Sequence, residues 1–446
     1  MGGIGLALYN GLSLNFSNPA AYGRLQLTTF EAGINANFLK LSDTEKSRDN
    51  NSISLGYFAF AVPLKTKKAG LGFGIVPLSN VGYSIDDPII NIFEEPELHC
   101  YDGSGGLHQF FVSAGFTPFK NFTAGINVST LFGQIIQERR VEFYDPTFLN
   151  TRLTDTRSQR GFYFTLGLQY TLDSLRLSPA DSIIRFNKKL NVLRDSVVVL
   201  ERLNRHPDQA IDTSGHSAAL ISLNNEIRET VSLRSSVKDR YQRGDWNLTA
   251  GLTFSPSNSI NAKRTVVAET FRYVDNTTKD QIIVKDTSYY SPAEIGDVVL
   301  PTGLGFGLAL KKGTQWLIGS DIRTQDWSEY RSFGESDSLA NSWRWSTGAQ
   351  FVPDGRGFDA YWKQMQYMAG FHYSQTFLQL NGRQLTEMGV SAGIGFPIRR
   401  GLTTIRFMTE VGKRGTTEAN LLEEKYIRFS LNFSLNDRWF VKQRYD

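Results

Sequence analysis

Residues 161–172, GFYFTLGLQYTL, alternate without a break. Side chains along a strand point to opposite sides in turn. Phe162, Phe164, Leu166, Leu168, Tyr170 and Leu172 therefore share one face, and Gly161, Tyr163, Thr165, Gly167, Gln169 and Thr171 the other. The same division runs through 122–132, where Phe122, Ala124, Ile126, Val128 and Phe132 oppose Thr123, Gly125, Asn127 and Ser129, and through 246–255. A single strand of this kind suits a soluble sandwich equally well. Repeated over most of the chain, aromatic and aliphatic on one face and small and polar on the other, it predicts hydrocarbon outside and a lumen inside. The expected fold is all-β: a transmembrane antiparallel β-barrel.

Composition agrees. The 446 residues are 40% hydrophobic, yet no run reaches the about 20 apolar residues of a membrane helix. The chain nevertheless carries 40 Gly, 31 Phe, 18 Tyr and 7 Trp, an unusual mix for a soluble enzyme. A net charge of +4 over this length makes no case for a nucleic-acid surface. Cys100 is the only cysteine, which excludes an internal disulfide framework, and His99 beside it is too little for a metal site. Met1-Gly2-Gly3 has neither a basic start nor a cleavage pattern, so an exported protein with this sequence is expected to be in its mature or truncated form.

Strand cores fall at 25–38, 52–64, 70–83, 107–117, 122–137, 161–172, 245–270, 298–310, 315–330, 342–351, 362–379, 385–398, 403–413 and 425–435, about fourteen in all. Connections after even strands are short, as at 65–69, 118–121 and 311–314, and those after odd strands are long and polar, as at 40–51, 84–106 and 138–160. That asymmetry predicts periplasmic turns, extracellular loops and both termini in the periplasm of a Gram-negative bacterium. In 425–435, Ile427, Phe429, Leu431, Phe433 and Leu435 alternate with polar residues, and Trp439-Phe440 follow; this strand is expected to close the barrel against 25–38.

Residues 173–244 break the rule. Their apolar residues step by three and four: Ile183, Phe186, Leu190, Leu193, Val197 and Leu200, then Leu220, Leu223 and Ile227, with Val231 and Val237 as candidates. An antiparallel helical hairpin on the periplasmic side is expected, broken at 205–215, with Ser178-Pro179 at its start. Its stripes either zip to each other or, over 178–242, dock a periplasmic protein. The chain thus divides into an N-terminal plug at 1–24, barrel strands at 25–172, the hairpin at 173–244, and further strands with a C-terminal tail at 245–446.

Residues 12–22, LSLNFSNPAAY, cannot be a strand, because Pro19 lacks the N–H that a ladder needs. Asn18 can cap or turn the chain there. Asn18, Pro19 and Ala20 form either an ordinary N-terminal turn or the centre of a hatch inside the barrel. In the third strand, 70–83, Pro77 removes a donor, Ser79 follows, and Asn80 and Gly82 tolerate the angles of a bulge. Pro77 marks either the strand's outer end or a kink that opens the wall.

No catalytic constellation is present. Gly2-Gly3-Ile4-Gly5 lacks the preceding strand and following Lys-Ser/Thr of a phosphate loop. Asp321, Arg323 and Asp326 resemble an acid–base set, but Asp321 and Arg323, two apart, face the lumen, where charge pairs are ordinary. Neither enzyme activity, cofactor nor metal is expected.

Asn18-Pro19-Ala20, the strand count and Leu300-Pro301-Thr302 ahead of Leu304-Gly305-Phe306-Gly307-Leu308 resemble the FadL/TodX family of outer-membrane hydrophobe transporters. MGGI at 1–4, YDGSGGLHQF at 101–110, PFKNF at 118–122 and LNDRWFVKQRY at 435–445 are similar to its Bacteroidota branch. The resemblance covers nearly the whole chain outside 173–244. It implies a barrel plugged by an N-terminal hatch, a third strand kinked beside the Asn-Pro-Ala motif, and passage of fatty-acid or hydrocarbon-like molecules to a gap in the wall. On that basis residues 18–20 are expected to pack against 75–82, and Pro77, Ser79, Asn80 and Gly82 to form the opening. The helical insertion and a short hatch depart from the family. The implied partners are outer-membrane lipid, lipopolysaccharide and a hydrophobic small molecule. The Gly-rich lumen favours a channel with room for that molecule; the insertion favours the alternative, a non-transporting subunit of a larger outer-membrane secretion or assembly complex.

Overall fold

The computed structural model describes residues 1–43, 47–90, 95–145, 147–172, 179–205, 214–243, 246–275, 279, 281–353, 360–398, 403–418, 421–437 and 439. Phe440 lies outside them, as does Ser178, and the side chains of Ile183 and Val237 are likewise not described.

The strands in chain order are β1 (Thr28–Ser42), β2 (Ser47–Lys65), β3 (Ala69–Ile90), β4 (Pro96–Phe119), β5 (Phe122–Phe143) and β6 (Asn150–Leu172). Helices α1 (Pro179–Arg205) and α2 (Ser214–Arg243) follow. Then come β7 (Trp246–Ser255), β8 (Asn258–Tyr273), β9 (Ile282–Leu300), β10 (Gly303–Lys312), β11 (Trp316–Gln325), β12 (Arg331–Ser332), β13 (Ser342–Phe351), a short helix α3 (Tyr361–Gln364), β14 (Gln366–Leu380), β15 (Arg383–Ile398), β16 (Thr403–Gly415) and β17 (Glu423–Asp437). Breaks at Pro256, at Pro301 and after Gln325 divide single crossings into β7 with β8, β9 with β10, and β11 with β12. The result is a closed antiparallel barrel of 14 crossings. Closure is the pairing of β1 with β17, from Thr28 opposite Asp437 to Ser42 opposite Glu423, as the sequence predicts.

The faces are inverted relative to a water-soluble protein. Phe162 is 59% exposed and Leu172 50%, while Thr123, Ser129 and Gln169 on the opposite face are at most 1% exposed. Only a wall with hydrocarbon outside makes that distribution favourable, and the chain is a transmembrane barrel of the outer-membrane type.

One expectation needs correction. Residues 84–106 and 138–160 are largely strand rather than loop: β3 continues to Ile90 opposite Pro96, and β5 to Val141 opposite Thr151. β3 to β6 contain 22, 24, 22 and 23 residues, against the roughly 10 a bilayer crossing needs. Beyond the hydrocarbon neither face has to be apolar, so the alternation fades while the backbone ladder continues.

The chain divides into two compact units. The larger comprises Met1–Thr171, Thr249–Ala309 and Ile318–Asp446. The smaller, Leu172–Leu248 with Leu310–Leu317, contains the helices. Within it α1 and α2 bury Leu190, Leu193 and Thr230, and Lys189 Nζ lies 2.9 Å from Glu226 Oε1. Thr230 takes the inward place; Val231 is 41% exposed and outside the seam.

Candidate functional site

Residues 1–27 make almost no regular structure, only a 3-10 turn at Pro19–Arg24. Their contacts nevertheless go right round the barrel. Gly2 N donates to Ser391 Oγ of β15 at 2.9 Å, Gly5 N and Leu6 N donate to Asp321 Oδ2 of β11 at 2.6 and 2.9 Å, and Leu14 N donates to Glu31 Oε1 of β1 at 3.2 Å. Arg24 donates to Thr171 Oγ1 of β6 and to the Asn121 carbonyl, at 2.5 and 2.9 Å. A short segment that reaches strands on every side of a closed sheet lies across its interior.

Asn18 is the hub. It is fully buried, with its Oδ1 accepting from Ala20 N at 3.0 Å as the cap of the 3-10 turn. Its Nδ2 donates to the Leu6 carbonyl at 2.7 Å, to Leu168 O of β6 at 3.1 Å and to Leu252 O of β7 at 3.4 Å. One amide thus ties the segment to itself and to two strands. Pro19 starts the turn, where a missing N–H costs nothing. Asn15 does comparable work unmarked by any motif: its Nδ2 donates to Gly5 O and Leu8 O, both at 2.7 Å, and its Oδ1 accepts from Ser17 N. Gln169, legible in the sequence as lumen-facing, adds bonds to Leu6 O and Leu8 O at 3.0 and 3.1 Å.

The charged set at Asp321 is structural. Its carboxylate holds the Gly5 and Leu6 amides, and Arg323 donates to Ser17 Oγ at 2.9 Å. Asp326 caps a separate short turn, accepting from Ser328 N.

Glycine on the lumen face plays a different part from the one the sequence suggests. A Cβ at Gly125 would collide with Pro19, at Gly167 with Asn18, at Gly115 with Pro19 and Gly23, at Gly251 with the Leu6 carbonyl, and at Gly72 with the Tyr22 ring. These positions do not leave ligand volume. They let the N-terminal segment lie directly on the wall, backbone to backbone at Gly115, Gly125 and Gly251 and side chain to backbone at Gly72 and Gly167, which any side chain would prevent.

Residues 18–20 sit on β4, β5, β6 and β7, and the same turn meets β3 through Tyr22 at Gly70 and Gly72. Around Pro77 the wall has its own irregularity. β3 pairs with β4 through Pro77 opposite His108, skips Leu78, and resumes with Ser79 opposite Leu107. Ser79 Oγ accepts from Leu107 N at 3.2 Å, Asn80 is exposed, and Gly82 has open space around it. The strand runs on to Ile90, so Pro77 marks a bulge and not an end.

On the other side of β3 the change is larger. β2 and β3 pair from Lys65 opposite Ala69 only as far as Phe58 opposite Ile75. Both strands continue, β2 still paired with β1 to Ser47 and β3 with β4 to Ile90. The wall therefore parts between them, and Arg48 spans the parting farther out by donating to Ser84 O at 3.0 Å. Beside its lower edge stand three aromatic rings. Phe16 of the N-terminal segment lies 4.9 Å from Tyr57 of β2 and 5.7 Å, edge-on, from Phe111 of β4.

This geometry has counterparts. The BamG family model matches residues 1–211 and 227–446. The chain belongs to the BamG family. No curated protein matches it. Among solved structures, this BamG-family barrel is similar in fold to a FadL homologue of Pseudomonas aeruginosa (TM-score 0.55, 10% identity, 98% of this chain and 96% of that one). It is also similar to the monoaromatic hydrocarbon channel CymD (0.53, 12%, 98% and 96%) and to the toluene transporter TodX of Pseudomonas putida (0.52, 12%, 97% and 95%). At such identities the likeness establishes the FadL-type fold for the BamG chain. The chemistry has to be argued from its own residues.

Proposed function

We propose that this barrel is an outer-membrane channel for hydrophobic molecules of the fatty-acid or hydrocarbon kind, with residues 1–24 as its hatch and a lateral exit between β2 and β3. The chain would then be a Bacteroidota member of the FadL/TodX group. The observation that carries the reading is the parting of β2 from β3 beside Phe16, Tyr57 and Phe111. Unpaired strand edges facing lipid are costly, each unsatisfied group by several kcal/mol, so a wall keeps such a parting only where something uses it. The aromatic rings at its lower edge offer an apolar passing molecule a surface that water does not, and the bulge at Leu78 bends β3 along the same opening. TodX and CymD, with the same fold, are by their descriptions a toluene transporter and a monoaromatic hydrocarbon channel.

The test is to close the parting. Leu55→Cys with Leu78→Cys, in a Cys100→Ser background, joined by a flexible bis-maleimide, should abolish uptake of a hydrophobic fluorescent probe by whole cells. Either cysteine alone should leave uptake intact. Full cross-linking of a folded barrel with uptake unchanged overturns the reading.

A second reading, a non-transporting subunit of a larger outer-membrane secretion or assembly complex, is favoured by the hairpin. α1 and α2 satisfy their seam with Leu190 and Leu193 yet leave Val192, Val199 and Ile221 at 59%, 56% and 64% exposure. Deletion of 178–242 separates the two: loss of a stoichiometric periplasmic partner with uptake unaffected supports the subunit, and no change in co-purifying protein removes it.

A further inference from the structure

On the outer wall, four strands enclose a hollow of about 360 Å³, lined by Phe116 of β4, Ala124 and Ile126 of β5, Leu166 and Leu168 of β6, and Leu252 of β7 among others. Its cause is one small residue. Across the wall Phe116 stands opposite Ala124 and Ala124 opposite Leu168, so a methyl group sits between two large side chains. No polar side chain lines the hollow. Gly125 and Gly167 form part of its lining, and their inner faces carry Pro19 and Asn18. Here a single layer of backbone separates the plug from the lipid.

Directly below are two short turns. Phe116 lies opposite Ala69, and Thr117 N donates to Lys68 O at 2.7 Å, which sets the β2–β3 turn beside the end of β4. That turn carries Lys65, Lys67 and Lys68, and the β4–β5 turn carries Lys120; all are exposed, and neither turn contains a carboxylate. Phe119, 72% exposed, marks the interface where aromatics anchor. Lys120 is four residues from Ala124, about 13 Å along the strand and so within one leaflet of a core about 30 Å thick.

The geometry points to a binding site for one anionic phospholipid of the periplasmic leaflet, an acyl chain in the hollow and the phosphate against Lys68 and Lys120. The two halves of the site match the two halves of such a molecule in chemistry and in spacing. The assignment does not depend on whether the lumen conducts.

The probe is phosphatidylglycerol with a diazirine on one acyl chain, in phosphatidylethanolamine vesicles containing the intact protein. Labelling should concentrate on the peptides containing Ile126 and Leu252. Ala124→Trp, which fills the hollow, should remove it, whereas Val390→Trp, on the outer face of β15, should not. Lys68→Gln and Lys120→Gln should each lower labelling about five-fold at low salt. Heat-modifiable migration verifies folding, with Ala124→Leu in reserve should the tryptophan prevent assembly. Labelling spread evenly round the wall, or unchanged by either Ala124 variant, means ordinary boundary lipid and overturns the site. Labelling lost in the Ala124 variants but indifferent to both lysines means a hydrocarbon pocket without a head-group partner, and overturns the phospholipid assignment.

Discussion

The seam between β5 and β6 and the seam between β2 and β3 belong to one sheet and behave in opposite ways. β5 and β6 pair without a register shift from Phe122 opposite Tyr170 to Val141 opposite Thr151. β2 and β3 pair only to Phe58 opposite Ile75, although both are long enough to continue. The inner faces differ too. Gly125 brings the Pro19 backbone, and Gly167 the Asn18 and Pro19 side chains, onto the closed seam, whereas Tyr57 and Phe111 meet Phe16 through their rings beside the parted one. Hydrogen bonds and close packing hold the N-terminal segment where the wall is continuous. Weak aromatic contacts meet it where the wall divides. On the proposed reading, a hatch anchored at the continuous seam would have its freedom to move on the side of Phe16.

If the closed seam is the fixed side, damage there should be greatest. Gly167→Val places a side chain on Asn18, and overpacking of this sort costs about 3 kcal/mol or displaces the plug outright. The expected outcome is a lower unfolding temperature in detergent together with new trypsin cleavage at Arg24; an unchanged protease pattern would remove the fixed side from the comparison.

Asn18→Leu should come next. It deletes the donor to Leu6, Leu168 and Leu252 and takes from the buried Ala20 amide its acceptor, at about 2 kcal/mol by denaturant unfolding. Asn18→Asp should be at least as harmful, since it sets an oxygen against three carbonyl oxygens. Equal stability of Asp and wild type would show that these bonds do not hold the plug.

Asp321→Asn sharpens the same side more gently. The amide retains an acceptor for Gly5 N or Leu6 N but loses the charge-assisted bonds, for an expected loss of about 1–2 kcal/mol. Asp321→Ala should lose clearly more, and the ratio of the two is read from the same unfolding curves.

At the parted seam, effects on stability should be small and effects on passage large. Phe16→Ala removes contacts worth about 1 kcal/mol and should alter probe uptake while leaving heat-modifiable migration unchanged. Smallest of all is Gly82→Val, which meets open space and should leave folding untouched. With Pro77→Val it should alter uptake only if the bulge shapes the opening, and unchanged uptake in that pair removes the bulge from the mechanism.

The sequence by itself determined the barrel. Period-2 alternation is local, and the requirement that hydrocarbon meet apolar side chains acts on each strand separately, so the wall, its number of crossings and the β1–β17 closure are legible one strand at a time. The helical insertion was legible for the same reason, its periodicity changing from 2 to about 3.5. What only the tertiary structure decided is which inward residues meet what. Gly125 and Gly167 read as empty lumen because a missing side chain carries no mark of the neighbour that needs its absence. Asn18 read as a turn former, yet two of its bonds cross to Leu168 and Leu252, 150 and 234 residues away. The end of the β2–β3 ladder at Ile75 had only Pro77, two residues on, as its mark, and a missing N–H reads the same at a strand's end, at a bulge or at a parting of the wall.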